Sequence, residues 1–289
     1  NPLITPKAAG HLRDLKEHAD APKWNYTCGD RITREDLAAL EDFRAQVFEP
    51  RRARQPGPPE APVLRNLAGA LPRVEWLRRR IGPRVNLERD WDALPTMTRE
   101  DLARDMGWIV PDDMDLGRCF VYETSGTTGH EVLVPNSARG ANAYKPLLEL
   151  AMARHGVKPR FAEGACGSML VCAQAFTIAY ASVHAVWSNA GHAKVNLNIS
   201  EWPRVSSPRR YIEHFQPLVL AGDPVSFAEL LRQEIHARPQ AMLSTAMQLP
   251  PVLKQKLEQH FRCPVIDTYS ANETGLVAYA CRKGSFHVL

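Results

Sequence analysis

The sequence predicts an α/β protein whose sheet-forming part follows a mainly helical N-terminal segment. From residue 119 onward, short apolar runs typical of strands alternate with stretches typical of helices, and this alternation is characteristic of an α/β sheet. The first hundred or so residues lack such runs and contain two helix starts. With 289 residues, 44% of them hydrophobic, the chain is long enough to bury a large core.

The two helix starts share the hexamer TREDLA, at 33–38 and 98–103. The threonine that opens each copy can cap a helix, and an aspartate stands three positions on, as in a capping box. The flanking residues do not match, so we interpret the two copies as the same helix-start sequence occurring twice and not as an internal repeat. Between the copies, the proline-rich stretch 49–62 predicts an extended connector.

After residue 118, apolar runs predict strands, and the stretches between or after them predict helices. The predicted strands are CFVYE (119–123), EVLVP (131–135), SMLVCA (168–173), PLVLAG (217–222) and PVIDTY (264–269). The predicted helices cover 137–156 and 226–239. The last residues, CRKGSFHVL, are interpreted as the middle of a strand pair, because apolar side chains stand where a domain end is usually polar.

Composition argues against several classes of protein. The formal net charge is only +4, and the basic runs at 51–54 and 78–80 are interpreted as solvated faces in preference to a nucleic-acid groove. No apolar segment approaches membrane-spanning length. The six cysteines are scattered without the paired spacing of a zinc finger or redox motif. We therefore expect a soluble cytoplasmic protein with reduced thiols and without nucleic-acid or membrane partners.

Six small or hydroxylated residues in a row, TSGTTG, follow the first predicted strand. Gly126 and Gly129 permit backbone angles that let consecutive amides turn toward one anion. Ser125, Thr127 and Thr128 add hydroxyl donors around the same point. The stretch therefore predicts a phosphate site, and a flexible surface turn of the same composition is the alternative.

A second polar stretch follows the last long predicted strand. There PVIDTY runs into a turn that contains one carboxylate, Glu273. A carboxylate just after a strand can hold magnesium beside bound phosphates. The alternative is a solvated surface glutamate.

Together the two stretches resemble the adenylate-forming superfamily of acyl-CoA synthetases. Its phosphate loop has the form TSGTTGxPK and its later motif reads YGxTE, and here YSANE follows TSGTTG by roughly 140 residues. Three more segments resemble the phenylacetate-CoA ligase branch: LPTMTREDLARD (94–105), FQPLVLAGDPVSFAELL (215–231) and MLSTAMQLPPVLKQKLEQHF (242–261). The resemblance runs from about residue 94 to the end.

The resemblance implies the large N-terminal domain of an acyl-adenylate-forming enzyme, with mixed sheets and helices. It divides the chain into a mainly helical region, 1–93, and an incomplete ATP-binding adenylation core, 94–289, without the C-terminal domain. It implies that the ATP phosphates are bound by Ser125, Gly126, Thr127, Thr128 and Gly129. It also places Tyr269 against the adenine, Thr245 and Ala246 in the nucleotide pocket, and magnesium on Glu273. Thr128, Asn272 and Glu273 would be the catalytic residues.

The chain departs from the family pattern at several positions. His130, Glu131 and Val132 replace the usual x-Pro-Lys after the phosphate loop. Ser270 stands where the later motif has Gly, and Asn272 where it has Thr; an Asn side chain can still donate to a phosphate. Around Ala246 the family has Gly followed by Glu, and here Met247 follows. These differences keep open a degenerate nucleotide-binding or scaffold protein.

A candidate acyl pocket lies in AQAFTIAYASVHAVW, predicted as a helix. Phe176, Tyr180, His184 and Trp187 are spaced by four, four and three residues, which places them on one helical face. One interpretation is a core-facing aromatic stripe. The other is that Phe176, with Tyr180, forms a wall against which an aromatic acid packs.

Cys281 and His287 could be zinc ligands, since relatives often carry a Cys and a His at this place. Two ligands do not close a tetrahedral site, so ordinary strand residues remain the alternative to a structural zinc.

The function that the resemblance implies is ATP-dependent activation of a carboxylic acid, aromatic by preference, to an acyl-adenylate. The acyl group would then pass to a thiol such as coenzyme A, with a carrier-protein thiol or a cofactor hydroxyl as alternative acceptors. We expect the chain to be part of a longer enzyme. A homodimer, or a second chain that supplies the C-terminal domain, is left open.

Overall fold

The computed structural model describes residues 1–49, 57–82, 84–124 and 132–289. The predicted phosphate loop, 125–129, lies outside these residues together with His130, Glu131 and the 50–56 part of the connector. The chain divides into two compact units. We call residues 1–48 with 142–289 the sheet unit, and residues 49–141 the hairpin unit.

Helices form about half of the first hundred described residues, which hold no strand, and further helices lie between several of the strands that follow. The helices are α1 (Pro6–Glu17), α2 (Arg34–Phe48), α3 (Ala61–Ala70), α4 (Glu75–Arg80), α5 (Arg99–Arg104), α6 (Ala138–Asn142), α7 (Tyr144–Arg154), α8 (Ser207–Phe215), α9 (Pro224–Arg232) and α10 (Pro251–Phe261). None of the helices in the described part of the chain is long and apolar enough to cross a membrane.

Both TREDLA segments begin helices through their own side chains. The Thr98 hydroxyl accepts from the Asp101 backbone amide while the Asp101 carboxylate accepts from the Thr98 amide, which is a capping box. Thr33 and Asp36 make the same reciprocal pair of hydrogen bonds at the start of α2. The predicted helix starts are therefore confirmed, because capping depends only on residues that are neighbours in sequence.

The hairpin unit contains two antiparallel strands, β1 (Cys119–Thr124) and β2 (Val132–Ser137), paired from Cys119 with Ser137 to Thr124 with Val132. The segment 125–131 joins these two strands. In the same unit, the basic run 78–80 is paired with carboxylates, among them Asp112 with Arg78 and Asp101 with Arg80.

The sheet unit contains one mixed sheet of eight strands. They are β3 (Cys166–Cys172), β4 (Tyr180–His184), β5 (Ala190–Asn196), β6 (Val219–Gly222), β7 (Ala241–Ser244), β8 (Val265–Ala271), β9 (Gly275–Ala280) and β10 (Phe286–Val288). Their order across the sheet is β10-β9-β8-β7-β6-β3-β5-β4. The five strands from β8 to β5 in that order are parallel, and β4, β9 and β10 are antiparallel to their neighbours.

The parallel strands have buried apolar residues on both sides because helices cover both faces of the sheet. Leu220 and Val265 belong to a core that includes residues of α1, α8, α9 and α10. Their neighbours Val219 and Ile266 point the other way, into a core shared with α7. Successive residues of a strand face opposite sides, so each central strand contributes to both cores.

The predicted helix over AQAFTIAYASVHAVW is wrong. Residues 180–184 form β4, antiparallel to β5, and 185–187 form one turn of 3-10 helix. Phe176 lies before the strand and is 77% exposed, so it belongs neither to a helical face nor to a core stripe. Trp187 is buried and stacks on Phe161 at a ring-centroid distance of 4.2 Å. The four-residue spacing of Tyr180 and His184 also fits one face of a strand.

Candidate functional site

The carboxyl ends of the parallel strands form one edge of the sheet, where α/β proteins bind ligands. Strands β3, β5, β6, β7 and β8 all end there. Three predicted positions, Thr245, Ala246 and Tyr269, lie at the ends of β7 and β8.

The turn after β7 is held by hydrogen bonds on both sides of a strained residue. The Thr245 amide donates to the Gly222 carbonyl at 3.0 Å, and the Met247 amide donates to the Thr245 carbonyl at 2.9 Å. Between them Ala246 has a φ of 68°, in the left-handed region that favours glycine. Ala246 therefore adopts a backbone conformation that is typical of glycine.

The end of β8 carries a bulge between Tyr269 and Ser270. Such a bulge changes the direction of the side chains that follow it. Tyr269 is 62% exposed at this edge. The Ser270 hydroxyl lies 3.1 Å from the Thr245 hydroxyl.

Asn272 and Glu273 lie in the three-residue turn 272–274 that joins β8 to β9, and both side chains are exposed. Gly275 ends the turn with a φ of 76°. The prediction that Glu273 stands in a turn directly after a strand is therefore confirmed. A single exposed carboxylate suits Mg²⁺, which proteins often bind through one or two carboxylates and the phosphates of a substrate.

A cavity of about 210 Å³ opens beside the ends of β3 and β5. It is lined by Ala173, Gln174, Ala175, Leu197, Asn198 and Glu229. Phe176 follows this lining directly in sequence. Tyr180 is half-buried in β4 and contacts Tyr26, at a ring-centroid distance of 6.1 Å, and His192, at 5.7 Å.

Cys281 and His287 are neighbours across the β9–β10 hairpin. A hydrogen bond from the His287 side chain, with the backbone amides of Lys283 and Ser285, lowers the pKa of the Cys281 thiol to about 7. Over the part of the chain that the structure describes, no three His, Cys, Asp or Glu side chains are grouped so that they could hold a metal ion. The pair supplies two zinc ligands, and a structural zinc stays a prediction.

The structure brings some of the predicted residues together and leaves others apart. Thr245 and Ser270 are in contact, and Tyr269, Asn272 and Glu273 share one hairpin. Sequence analysis missed the contact between Ser270 and Thr245, because no motif pairs these two hydroxyls. The available signal was the serine at position 270, because a hydroxyl that replaces a glycine and becomes half-buried needs a partner.

Solved structures share this architecture with the chain. Its fold is that of the N-terminal part of acyl-CoA ligases of the adenylate-forming superfamily, which confirms the predicted fold.

Among the solved structures similar to the chain are two of 2-hydroxyisobutyryl-CoA ligase. An open conformation of that ligase in complex with 2-HIB-AMP and CoA has a TM-score of 0.51 at 14% identity, over 78% of this chain and 56% of the ligase chain. The same ligase in its postadenylation state, in complex with 2-HIB-AMP, has a TM-score of 0.50 at 14% identity. This match covers 92% of this chain and 57% of the ligase chain. The chain thus spans just over half the length of these ligases. No family model and no curated protein sequence matches it.

Proposed function

We propose that this chain is the nucleotide-binding part of an enzyme that activates a carboxylic acid with ATP. The acid oxygen attacks the α-phosphorus of ATP and forms an acyl-adenylate with release of pyrophosphate. The observation that carries the proposal is the joint presence of the TSGTTG stretch and an YSANE hairpin at the carboxyl edge of a sheet with this fold.

The roles proposed for the residues follow from their chemistry. Residues 125–129 would donate amide and hydroxyl hydrogen bonds to the ATP phosphates. Tyr269, exposed at the sheet edge, offers a ring face for the adenine. Thr245 and Ala246 would line the nucleotide pocket, and Asn272 would donate to a phosphate oxygen.

Glu273 is proposed to hold Mg²⁺, which when bound neutralises charge on the phosphates. Thr128, Asn272 and Glu273 are proposed to orient the carboxylate of the acid against the phosphates of ATP. They would also stabilise the negative charge that these two groups bring together.

The proposal also covers the identity of the acid and of the group that accepts the acyl chain. We propose an aromatic acid and coenzyme A, as in the phenylacetate-CoA ligase branch that three segments resemble. Phe176 supports this choice because its exposed ring, beside the cavity at the end of β3, is free to cover a flat ligand. ATP, magnesium and coenzyme A are all present in the cytoplasm, which is the location proposed for the protein.

Calorimetric titration of the chain with Mg·ATP tests the proposal. Gly126→Val should abolish binding, because a β-branched residue resists the backbone angles that the loop needs. Gly69→Val is the control, since this glycine of α3 has no neighbouring atom within 4 Å of an added Cβ. An unchanged ATP affinity in Gly126→Val, with the fold intact by circular dichroism, would refute the phosphate loop.

A further inference from the structure

The cavity beside the ends of β3 and β5 is lined by polar side chains as well as apolar ones. Gln174 follows β3, Asn198 follows β5, and Glu229 lies in α9. We propose that these three side chains bind a hydroxyl group of the acid, so that the substrate class is a hydroxylated aromatic acid. This inference rests on the proposed function and deepens it, because it names the feature by which the chain selects its acid.

A buried asparagine holds the two loops that form the cavity. Asn196, which is 1% exposed, accepts from the backbone amides of Gln174 and Asn198, both at 3.2 Å, and donates to the Gln174 carbonyl at 2.8 Å. The Ala173 amide donates to the hydroxyl of Ser226 in α9 at 2.9 Å. The loops after β3 and β5 are therefore fixed to each other and to α9, and a site prepared in this way loses little entropy when a ligand binds.

Glu229 supplies the cavity with a charged acceptor. Its carboxylate accepts from the Arg232 guanidinium and from the Gln233 side-chain amide. The hydrogen bonds from Arg232, with that from Gln233, lower the pKa of this carboxyl, so it is ionised at neutral pH. Within the described residues only one of these bonds ends on Oε2, and a carboxylate oxygen can accept two. Oε2 therefore keeps a lone pair for a donor on a ligand.

Asn198 and Gln174 supply amide donors. The Asn198 Oδ1 atom accepts from the amide and the hydroxyl of Ser200, at 3.2 and 3.1 Å, which orients the side chain. Its NH₂ group makes no hydrogen bond to any residue that the structure describes, and neither does the side chain of Gln174. A hydroxyl donates to a carboxylate and accepts from an amide at the same time, whereas an ammonium group only donates and an unsubstituted ring position does neither. The three side chains therefore match a hydroxyl.

The cavity also lies at a suitable distance from the proposed nucleotide pocket. In the sheet, β6 alone separates β3 from β7. Two strand spacings amount to roughly 10 Å, which is the separation expected between the end of β3 and the turn that carries Thr245 and Ala246. An aromatic acid spans such an interval when its carboxylate points toward that turn and its hydroxyl toward Glu229.

The test compares matched acids on the complete gene product that carries this chain. Benzoate is compared with its 3- and 4-hydroxy derivatives, and phenylacetate with the same derivatives. The quantity measured is kcat/KM for acid-dependent pyrophosphate exchange, expressed as the ratio of each hydroxylated acid to its parent. We expect a ratio of at least about ten for one or more derivatives, because a site built to hydrogen-bond a hydroxyl rejects the analogue that lacks it.

Two variants link that ratio to the cavity. Asn198→Ser removes the amide but keeps a side chain that can cap the turn of 3-10 helix at Ile199–Glu201. Glu229→Gln removes the charge of the acceptor. Each should lower the ratio about fivefold, the worth of one hydrogen bond. Glu35→Gln, at an exposed glutamate of α2, is the control and should leave the ratio as it is.

Two results would overturn the inference while the proposed function stands. One is exchange in which no hydroxylated acid is preferred over its parent. The other is a loss of activity in Asn198→Ser and Glu229→Gln that is equal for both acids of a pair, which is the result of a merely structural role. If no carboxylic acid supports exchange, the proposed function fails and this inference fails with it.

Discussion

At the end of β7, Ala246 holds a backbone conformation that alanine adopts at a cost. Its φ of 68° lies in the left-handed region, and the bonds of Thr245 and Met247 on either side keep it there. The cost is roughly 1–2 kcal/mol for a residue with a Cβ. Strain of this kind clusters at ligand sites, which fits the position of Ala246 at the carboxyl edge of the sheet.

Ala246→Gly should therefore stabilise the chain by about 1 kcal/mol, or roughly 2–4 °C in melting temperature. Differential scanning calorimetry measures the change. Ala175→Gly is the matched control, since Ala175 is exposed in a loop and has no positive φ. That variant should lose stability, because glycine adds entropy to the unfolded chain. Equal shifts in the two variants would show that Ala246 is not strained.

Individual residues differ in how far the sequence could predict their roles. Thr33 and Thr98 cap their helices through bonds to residues three positions away, so a local pattern suffices. The contact of Thr245 with Ser270 joins the ends of two different strands, and only the folded sheet brings them together. The turn position of Glu273 was predictable, because a strand followed by polar residues is itself a local pattern.

At the scale of elements, β4 is where sequence reasoning failed. Side chains four apart share a face in a helix and also in a strand, so the spacing of Phe176, Tyr180 and His184 could not separate the two, and only the step of three to Trp187 favoured a helix. Pairing with β5 along five residues decides the matter, from Tyr180 with Lys194 to His184 with Ala190. The sequence predicted three of the five parallel strands, β3, β6 and β8, from their apolar runs, which are buried because helices cover both faces of the sheet. It missed β5, which carries His192, Lys194 and Asn196, and β7, which is only four residues long.

The pairing of β4 with β5 also brings two histidines together, of which His192 is buried and His184 is half-buried. His184 and His192 have ring centroids 4.5 Å apart, and His192 shares a hydrogen bond of 2.8 Å with Ser168. Burial, together with the positive charges of Lys145 and Lys194, lowers the pKa of His192 to about 3. Burial, with the charge of Lys145, also lowers the pKa of His184 well below its usual value.

These histidines should make the fold sensitive to acid. Between pH 6.5 and 3 the unfolded chain binds a proton at His192 that the folded chain does not, so stability falls as the pH falls. The slope is about 1.4 kcal/mol per pH unit for one histidine. His192→Asn can keep a bond to Ser168 without titrating, and should reduce the slope of unfolding free energy between pH 6 and 4 by about that amount.

Urea unfolding across that pH range measures the slope. His236→Asn, at an exposed histidine, is the matched variant. A His192→Asn protein with the same slope as the parent would mean that His192 is already protonated in the folded state.

At the scale of the whole molecule, the fold and the proposed chemistry rest on different grounds. The mixed eight-stranded sheet and its similarity to 2-hydroxyisobutyryl-CoA ligase carry the fold. The chemistry rests on two motifs, one of which lies in the hairpin unit and the other in the sheet unit. The predicted boundary at residue 93 concerns the domains of a longer enzyme and stays a prediction.

Acid-dependent exchange of labelled pyrophosphate into ATP tests the central claim most directly, on the complete gene product that carries this chain. Exchange requires reversible formation of an acyl-adenylate, so mere nucleotide binding cannot produce it. We expect exchange with at least one acid of an aromatic panel, only when magnesium is present, and a loss of at least about tenfold in Glu273→Gln with little change in acid affinity. Bound ATP without exchange for any carboxylic acid, or equal exchange by Glu273→Gln at saturating magnesium, would contradict the account.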